Sequence, residues 1–344
     1  MRKNSLSLRS AGLLSRLFMA SACFSLLLVI SGCTFSDSDT GGKSEGASES
    51  GSKTSLEWVA TTGHVHDALT AISAGTNVNI KLFCGPGIDP HSFSASTNDV
   101  QAMSEADAIF YNGFHLEAKL HDLLHHQFAD KAFAMADHFP ESSRLDWVED
   151  GEIDPEAPFD PHIWNHLPGW MTCVEALIEH LCAIDAANAE LYRKNGEGYL
   201  KTIESTHQAA IEKFDTIPES QKLLVSAHDA FNYFAKVYHF ESFAVLGVGN
   251  DAEADIKTMR DVAATVSERK IPVIFIENIT NPKVTEALQE ACEAKGWSVK
   301  IAEEPLYSDA LGSEPPVDSF MGVFQHNVDL ITESLKPEAT ESEQ

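Results

Sequence analysis

Asp-Pro-His occurs twice in this chain, at Asp89-Pro90-His91 and at Asp160-Pro161-His162. Proline fixes one backbone torsion, so each tripeptide carries its imidazole on a stiffened loop. His228, in Ser226-Ala227-His228-Asp229, and Asp309, in Leu306-Tyr307-Ser308-Asp309, also follow runs that read as strands. Neutral imidazoles and a carboxylate are the donors that zinc and its neighbours accept, and four of them complete a coordination shell. A lone histidine is more often a packed or solvated side chain than a ligand. Three at the ends of predicted strands, with an aspartate in the same topological place, favour a transition-metal site.

The elements that must position these residues are legible from periodicity. Strand-like runs fall at Leu56–Thr61, Val78–Phe83, Ala108–Asn112 and Lys131–Met135, then at Lys222–Ser226, Phe243–Leu246, Pro272–Ile276 and Val299–Ala302. Amphipathic helices lie between them; Ile256, Met259, Val262, Ala263 and Val266 recur at helical spacing in one. Strands alternating with helices predict an α/β fold with parallel sheets. Four units followed by four predict two lobes, each with a four-stranded, mainly parallel sheet flanked by helices. Between the lobes, Ala186 to Phe214 contains no proline and reads as one helix, with Gly196 and Gly198 as its weak points. At 1.5 Å per residue it would span roughly 40 Å, a stiff connection that predicts a small opening motion. Parallel sheets place ligand loops beyond the carboxyl ends of their strands. Two of the four metal candidates then come from each lobe and meet in the cleft between them.

The N-terminus has a different job. Arg2, Lys3, Arg9 and Arg16 precede an apolar stretch, Leu17 to Ile30, too short for a comfortable transmembrane helix. Ile30-Ser31-Gly32-Cys33 closes it with small residues before a cysteine. Residues 1–32 read as a secretory signal that resembles a bacterial lipobox, with Cys33 as the lipidated first residue. From Thr34 to Ser55 the chain is mostly Ser, Gly, Asp and Glu, so 33–55 reads as a lipidated cysteine and a disordered polar tether. The expected division continues with a first lobe at 56–185, a linking helix at 186–216, a second lobe at 217–336 and a disordered tail at 337–344.

Loss of residues 1–32 removes four basic residues and no acidic one from the formal charge of −28, leaving −32. So acidic a body disfavours nucleic acid and anionic lipid as partners. Cys84, Cys173, Cys182 and Cys292 remain, with no Cys-x-x-Cys spacing. A zinc finger is excluded, and the four read as small buried residues. There is no His-Glu-x-x-His and no P-loop, so catalysis and nucleotide hydrolysis are disfavoured.

Residues Leu56 to Leu335 resemble the metal-binding lipoproteins of zinc, manganese and iron ABC importers, close to their TroA-like branch. The resemblance is carried by Gly85-Pro86-Gly87-Ile88-Asp89-Pro90-His91, Tyr111-Asn112-Gly113-Phe114-His115-Leu116-Glu117, Asp160-Pro161-His162-Ile163-Trp164, Ala227-His228-Asp229-Ala230-Phe231-Asn232-Tyr233-Phe234, Phe275-Ile276-Glu277 and Leu306-Tyr307-Ser308-Asp309-Ala310-Leu311-Gly312. It implies His91, His162, His228 and Asp309 as ligands of one divalent ion, Zn2+ or Mn2+, with Fe2+ behind. It implies two lobes joined by one long helix. It implies an exported protein, lipid-anchored to the cell envelope and acting as a monomer, that hands its metal to the transmembrane permease subunit of an importer with a cytoplasmic ATPase.

Some positions depart from the family pattern. Asn165-His166 stands where an acidic residue is usual near the second ligand, which puts the support of His162 in doubt. His64 and His66 replace apolar residues and are candidate auxiliary ligands, although exposed positions at a helix start are the simpler reading. The segment Glu149 to Phe159 is acidic and lacks the histidine-rich loop of dedicated zinc carriers. Manganese-specialised relatives tend to carry glutamate where His228 stands. His121 and His125, one helical turn apart, read first as a solvated helix face and second as a surface chelate. Glu277 reads as a supporting carboxylate rather than a general base. The alternatives to a metal receptor are a surface adhesin, which predicts a large exposed partner patch that the sequence lacks, and a zinc-dependent hydrolase.

Overall fold

The computed structural model describes residues 55–149, 152–153, 155, 157–247 and 256–336. The signal segment 1–32, Cys33, the tether up to residue 54 and the tail 337–344 lie outside them.

The first sheet contains β1 (Leu56–Thr62), β2 (Val78–Cys84), β3 (Ala108–Tyr111) and β4 (Ala132–Ala134), all parallel in the order β2-β1-β3-β4. Its inner strands β1 and β3 are apolar on both faces because both faces are covered, whereas the edge strand β2 exposes Asn79 and Lys81. Trp58, Ala60 and Phe110 enter one core, while Val59, Ile109 and Tyr111 enter the other, as a two-residue side-chain period requires. Helix α1 (Gly63–Ile72) starts directly off β1, its first turn capped by Thr62. Helix α2 (Thr97–Glu105) opens with a reciprocal box between Ser96 and Asp99. An antiparallel hairpin that periodicity did not indicate, β5 (Val148–Glu149) with β6 (Glu152–Ile153), sits in the acidic loop. Helix α3 (Leu167–Ile184) completes this half.

The second sheet is assembled from two parallel pairs, β7 (Leu223–Ser226) with β8 (Glu241–Ala244) and β9 (Val273–Ile274) with β10 (Lys300–Ile301). A hydrogen bond from Phe275 N to Val225 O, 2.9 Å, joins the pairs. Strand β8 starts and ends two residues earlier than expected from the apolar run Phe243–Leu246. Val245 N and Leu246 N both donate to Ala227 O, at 3.2 and 2.9 Å, and this curls the chain out of the sheet. Helices α5 (Asn232–Tyr238), α6 (Ile256–Arg269) and α7 (Lys283–Ala294) flank these strands. Among the described residues, no helix is long and apolar enough to cross a membrane.

The expected linking helix is present as a 3-10 turn, Ala186–Asn188, running into α4 (Ala189–Phe214). Its first half is bonded to the first lobe. Asn195 Nδ2 donates to Ile72 O and Ala74 O at 3.0 and 2.9 Å, and Tyr199 OH donates to Asp67 at 2.6 Å. Its second half is bonded to the second lobe, through His207 Nδ1 and Tyr238 OH at 2.9 Å and through the Lys213–Asp329 ion pair. Gly196 is not a weak point. A Cβ there would lie 2.3 Å from Ile178 Cδ1, so the missing side chain lets α3 and α4 press together.

A second crossing was not foreseen. Helix α8 (Phe320–Leu335) packs on α4 and returns to α1. Phe320 meets Trp170 edge-on at 5.8 Å and His64 at 5.2 Å. The largest apolar core therefore runs unbroken from Trp58 through Trp170 and Phe214 to Phe324. Cys84, Cys173, Cys182 and Cys292 are all buried and unbridged, and burial pushes the Cys173 thiol up to about 12.

Candidate metal centre

Each Asp-Pro-His tripeptide folds on itself in the same way. Asp89 Oδ1 accepts from His91 N at 2.8 Å, and Asp160 Oδ1 accepts from His162 N at 2.9 Å. The aspartate thus closes a small turn around the proline and fixes where the imidazole leaves the backbone. His91 reaches its place from β2 through the turn Gly85–Ile88, where Ile88 N bonds Gly85 O and Gly87 takes a φ of +74°. His228 follows β7 with one residue between, and Asp309 follows the stretch in which Leu306 pairs with Glu277.

The structure brings all four together. His91 Nε2 lies 3.3 Å from His162 Nε2 and 3.3 Å from Asp309 Oδ2. His162 Nε2 lies 3.5 Å from Asp309 Oδ1, and His228 Nε2 lies 3.3 Å from Asp309 Oδ2. Donors about 2.1 Å from a shared tetrahedral ion stand about 3.4 Å apart, so these separations are those of a coordination shell. Among the described residues this is the only group of three or more potential ligands whose donor atoms all fall within 4.8 Å of one another. His162, His228 and Asp309 are buried, and His91 alone keeps some solvent access, with 8% of its side chain exposed. His228 Nε2 and both Asp309 carboxylate oxygens find no hydrogen-bond partner among the described residues. Buried polar atoms left without partners are costly, and a shared cation satisfies all three at once.

Carboxylates behind the rings set their orientation. Asp160 Oδ1 lies 2.7 Å from His162 Nδ1, and Glu277 Oε2 pairs with His228 Nδ1. A carboxylate only accepts, so each Nδ1 carries the hydrogen and each Nε2 presents its lone pair to the site. Glu277 is held in turn, with Oε1 accepting from Ala227 N at 2.8 Å and His228 N at 2.9 Å. Asp160 receives Asn232 Nδ2 at 3.2 Å on its other oxygen, and Tyr233 OH donates to its carbonyl at 3.1 Å. Burial alone would push both imidazoles down. For His162 the carboxylates of Asp160 and Asp309 outweigh burial and raise its pKa. For His228, Glu277 and Asp309 hold it well above the usual imidazole range. Burial would raise the Asp309 carboxyl, but His228 and His162 hold it well below the usual carboxylate range.

The departures noted in the sequence resolve here. The acidic support of His162 comes from Asp160, two residues before it, rather than from beyond Trp164. The signal was in the second copy of the repeat, where Asp160 reaches the His162 ring, while Asp89 in the first copy bonds the His91 backbone N. His166 caps α3, its Nδ1 accepting from Gly169 N at 2.9 Å. Asn165 Nδ2 and Trp164 Nε1 cross to the second lobe, donating to Ala230 O at 2.9 Å and Ser308 O at 3.0 Å. His64 is buried, not exposed. It stacks on Trp164 at 4.5 Å, burial drives its pKa down to about 3, and it does not join the quartet. His66 stands outside the quartet as well. Asp160→Asn should weaken metal affinity by about ten- to a hundredfold without removing a donor to the ion. Competition against a chelator of known affinity measures this, and an unchanged constant would show that Asp160 does not tune His162.

Two lobes with parallel sheets, clasping three imidazoles and a carboxylate between their loops, define a solute-binding protein of the metal-chelating class. Residues 59–334 match the model of one family, described as zinc-uptake complex component A, periplasmic (ZnuA). The chain belongs to that family. It is 34% identical over 279 residues to the zinc-binding protein TroA of Treponema pallidum, covering 80% of this chain and 88% of that one. It is 31% identical over 283 residues to the manganese-binding lipoprotein MntA of Bacillus subtilis, covering 82% and 90%. The solved structure of the periplasmic zinc-binding protein TroA superposes with a TM-score of 0.77 at 33% identity, covering 82% of this chain and all of that one. Fe(III)-bound YtgA of Chlamydia trachomatis superposes with a TM-score of 0.73 at 26% identity, covering 83% and all of that chain.

Proposed function

We propose that this chain is an exported receptor that captures one divalent transition-metal ion between its lobes and delivers it to an ABC importer. His91, His162, His228 and Asp309 are the ligands. The observation that carries the reading is the convergence of four donor atoms from four distant loops within 4.8 Å. The relatives named for zinc and manganese binding support the same cargo, zinc or manganese. Three imidazoles with carboxylates behind two of them favour zinc in intrinsic affinity, since zinc lies above manganese and iron in that order. Four protein donors around one ion leave no open position of the kind a catalytic zinc uses for water, and Glu277 is already engaged by three groups. Capture therefore fits better than hydrolysis.

The division into lobes at 56–185 and 217–336, with 186–216 between them, is supported by the hydrogen bonds that α4 makes to each side. An ion that bridges the lobes shifts them toward closure only by as much as it prefers that state. The shared core and the two helical crossings keep that shift small. The permease, with its ATPase on the far side of the membrane, is the partner, and the receptor meets it as a monomer anchored through lipid on Cys33. The polar composition of Thr34 to Ser55 supports a tether that separates anchor from site.

A deletion strain grown on limiting metal tests this reading. The intact chain is expected to restore growth with zinc or with manganese, and His91→Ala to fail with both. Cys33→Ala should leave the membrane fraction while keeping its metal affinity. Growth restored equally by His91→Ala would defeat the receptor reading. A Cys33→Ala protein that stays in the membrane would defeat the anchor.

A further inference from the structure

A second group of histidines lies outside the cleft, on the segment between β3 and β4. His121 and His125 stack with ring centroids 4.3 Å apart and planes inclined by 27°. His126 approaches His121 at 6.0 Å and His115 approaches it at 5.7 Å. His121, His125 and His126 are exposed and His115 is half-buried. We propose that His121 and His125, completed by His115 or His126, form a second metal site on the surface, for a divalent transition ion that prefers imidazole.

The backbone here is shaped to gather these rings. Leu123–Gln127 is a π-helical turn, closed by Phe128 N on Leu123 O at 2.8 Å. Its i→i+5 ladder widens the helix, so the fourth and the fifth residues after His121 both fall back over it. A regular α-helix would bring only one of them close. On the other side, Phe114 and His115 take consecutive left-handed conformations, with φ of +49° and +65°. Residues with side chains avoid that region, and two in succession persist only where their surroundings impose it. The turn is closed from behind by Glu117, whose carboxylate accepts from Asn112 N at 2.8 Å, Gly113 N at 3.2 Å and Thr61 Oγ1 at 2.7 Å. The resulting turn carries His115 toward His121.

The two sites differ in kind. In the cleft, buried donors already converge. On the surface the rings are adjacent without converging, so an entering ion must turn them and order exposed side chains, which makes the site weaker. Its position bears on loading. Lys119 Nζ donates to Ser92 O at 3.1 Å, tying this segment to the loop of His91, the one ligand with solvent access. An ion held on His121 and His125 sits on the segment that flanks that entrance.

Zinc titrated calorimetrically into the tag-free, metal-stripped full chain tests the proposal. Two steps are expected, a tight one of one ion per chain and a second, weaker one. The double variant His121→Ala/His125→Ala should lose only the weak step, and its intact tight step is the control for folding. The double variant His91→Ala/His162→Ala should lose only the tight step, so that failure of the cleft site and failure of the surface site read differently. A single one-ion step in the wild-type chain overturns the proposal. So does a weak step that survives loss of His121 and His125, or a loss of both steps together in that variant.

Discussion

Alanine at His91 or at His162 is expected to weaken the tight zinc step by roughly two to three orders of magnitude. A structural zinc site holds its ion with about 10–16 kcal/mol from four ligands, so one ligand accounts for about 2.5–4 kcal/mol. Alanine at His121 or His125 should leave that step unchanged, because those rings lie outside the buried quartet. The two cleft variants differ in their side effects. His162 is fully buried between Asp160 and Asp309, and truncating it takes one charged partner from each carboxylate. That variant should also lose stability when metal-free, since breaking a buried charge pair costs about 3–5 kcal/mol. His91 keeps solvent access, so its loss is the cleaner test of ligation. Chelator competition with each variant, and melting of the metal-free forms, separates the two effects. Equal losses at His91 and His121 would move the site out of the cleft.

Zinc affinity should fall steeply as pH falls, and the fall should begin above the usual imidazole range. The direction follows from the raised pKa values of His162 and His228. An imidazole must shed the proton on Nε2 before it binds metal, so every bound proton competes with the ion. Where both rings are protonated in the metal-free protein, the constant should change by about two decades per pH unit, one for each proton displaced. Stability of the metal-free protein runs the opposite way. A raised imidazole contributes fully below its unfolded pKa of about 6.5, and that contribution is lost as pH rises through the folded value. The depressed Asp309 carboxyl contributes above its unfolded pKa of about 3.9, and that contribution is lost as pH falls through the folded value. Metal-free melting temperature is therefore expected to drop as pH is raised above about 6.5, while the increment from added zinc grows. At free zinc a hundred times Kd that increment is about 2.7 kcal/mol. Melting curves with and without zinc from acid to mildly alkaline pH check both signs. An affinity that stays flat across that range would exclude histidine as the main source of binding.

Much of the cleft was readable because its chemistry is local. Proline-stiffened loops, an aspartate two residues before a histidine, and donors placed just past apolar runs are short-range patterns with short-range physical causes. The eight strand positions and the long helix were readable for the same reason, since periods of two and of 3.6 residues record which face is buried. Packing over long sequence distances decided the rest. No spacing could show that Asn232 and Tyr233 would hold Asp160, because those contacts join residues more than 70 positions apart. Histidine at position 64 looks exposed in the sequence and is buried because Trp164 and Phe320 close over it. Glycine at position 196 looks like a flaw in a helix until Ile178 occupies the space its side chain would need. The gathering of His115, His121, His125 and His126 depends on a π-helical turn and two left-handed residues that no residue type announces. Local preference chooses the elements and the chemistry they carry. Which elements touch is settled by the one arrangement that buries their apolar faces together, and only the folded chain records that choice.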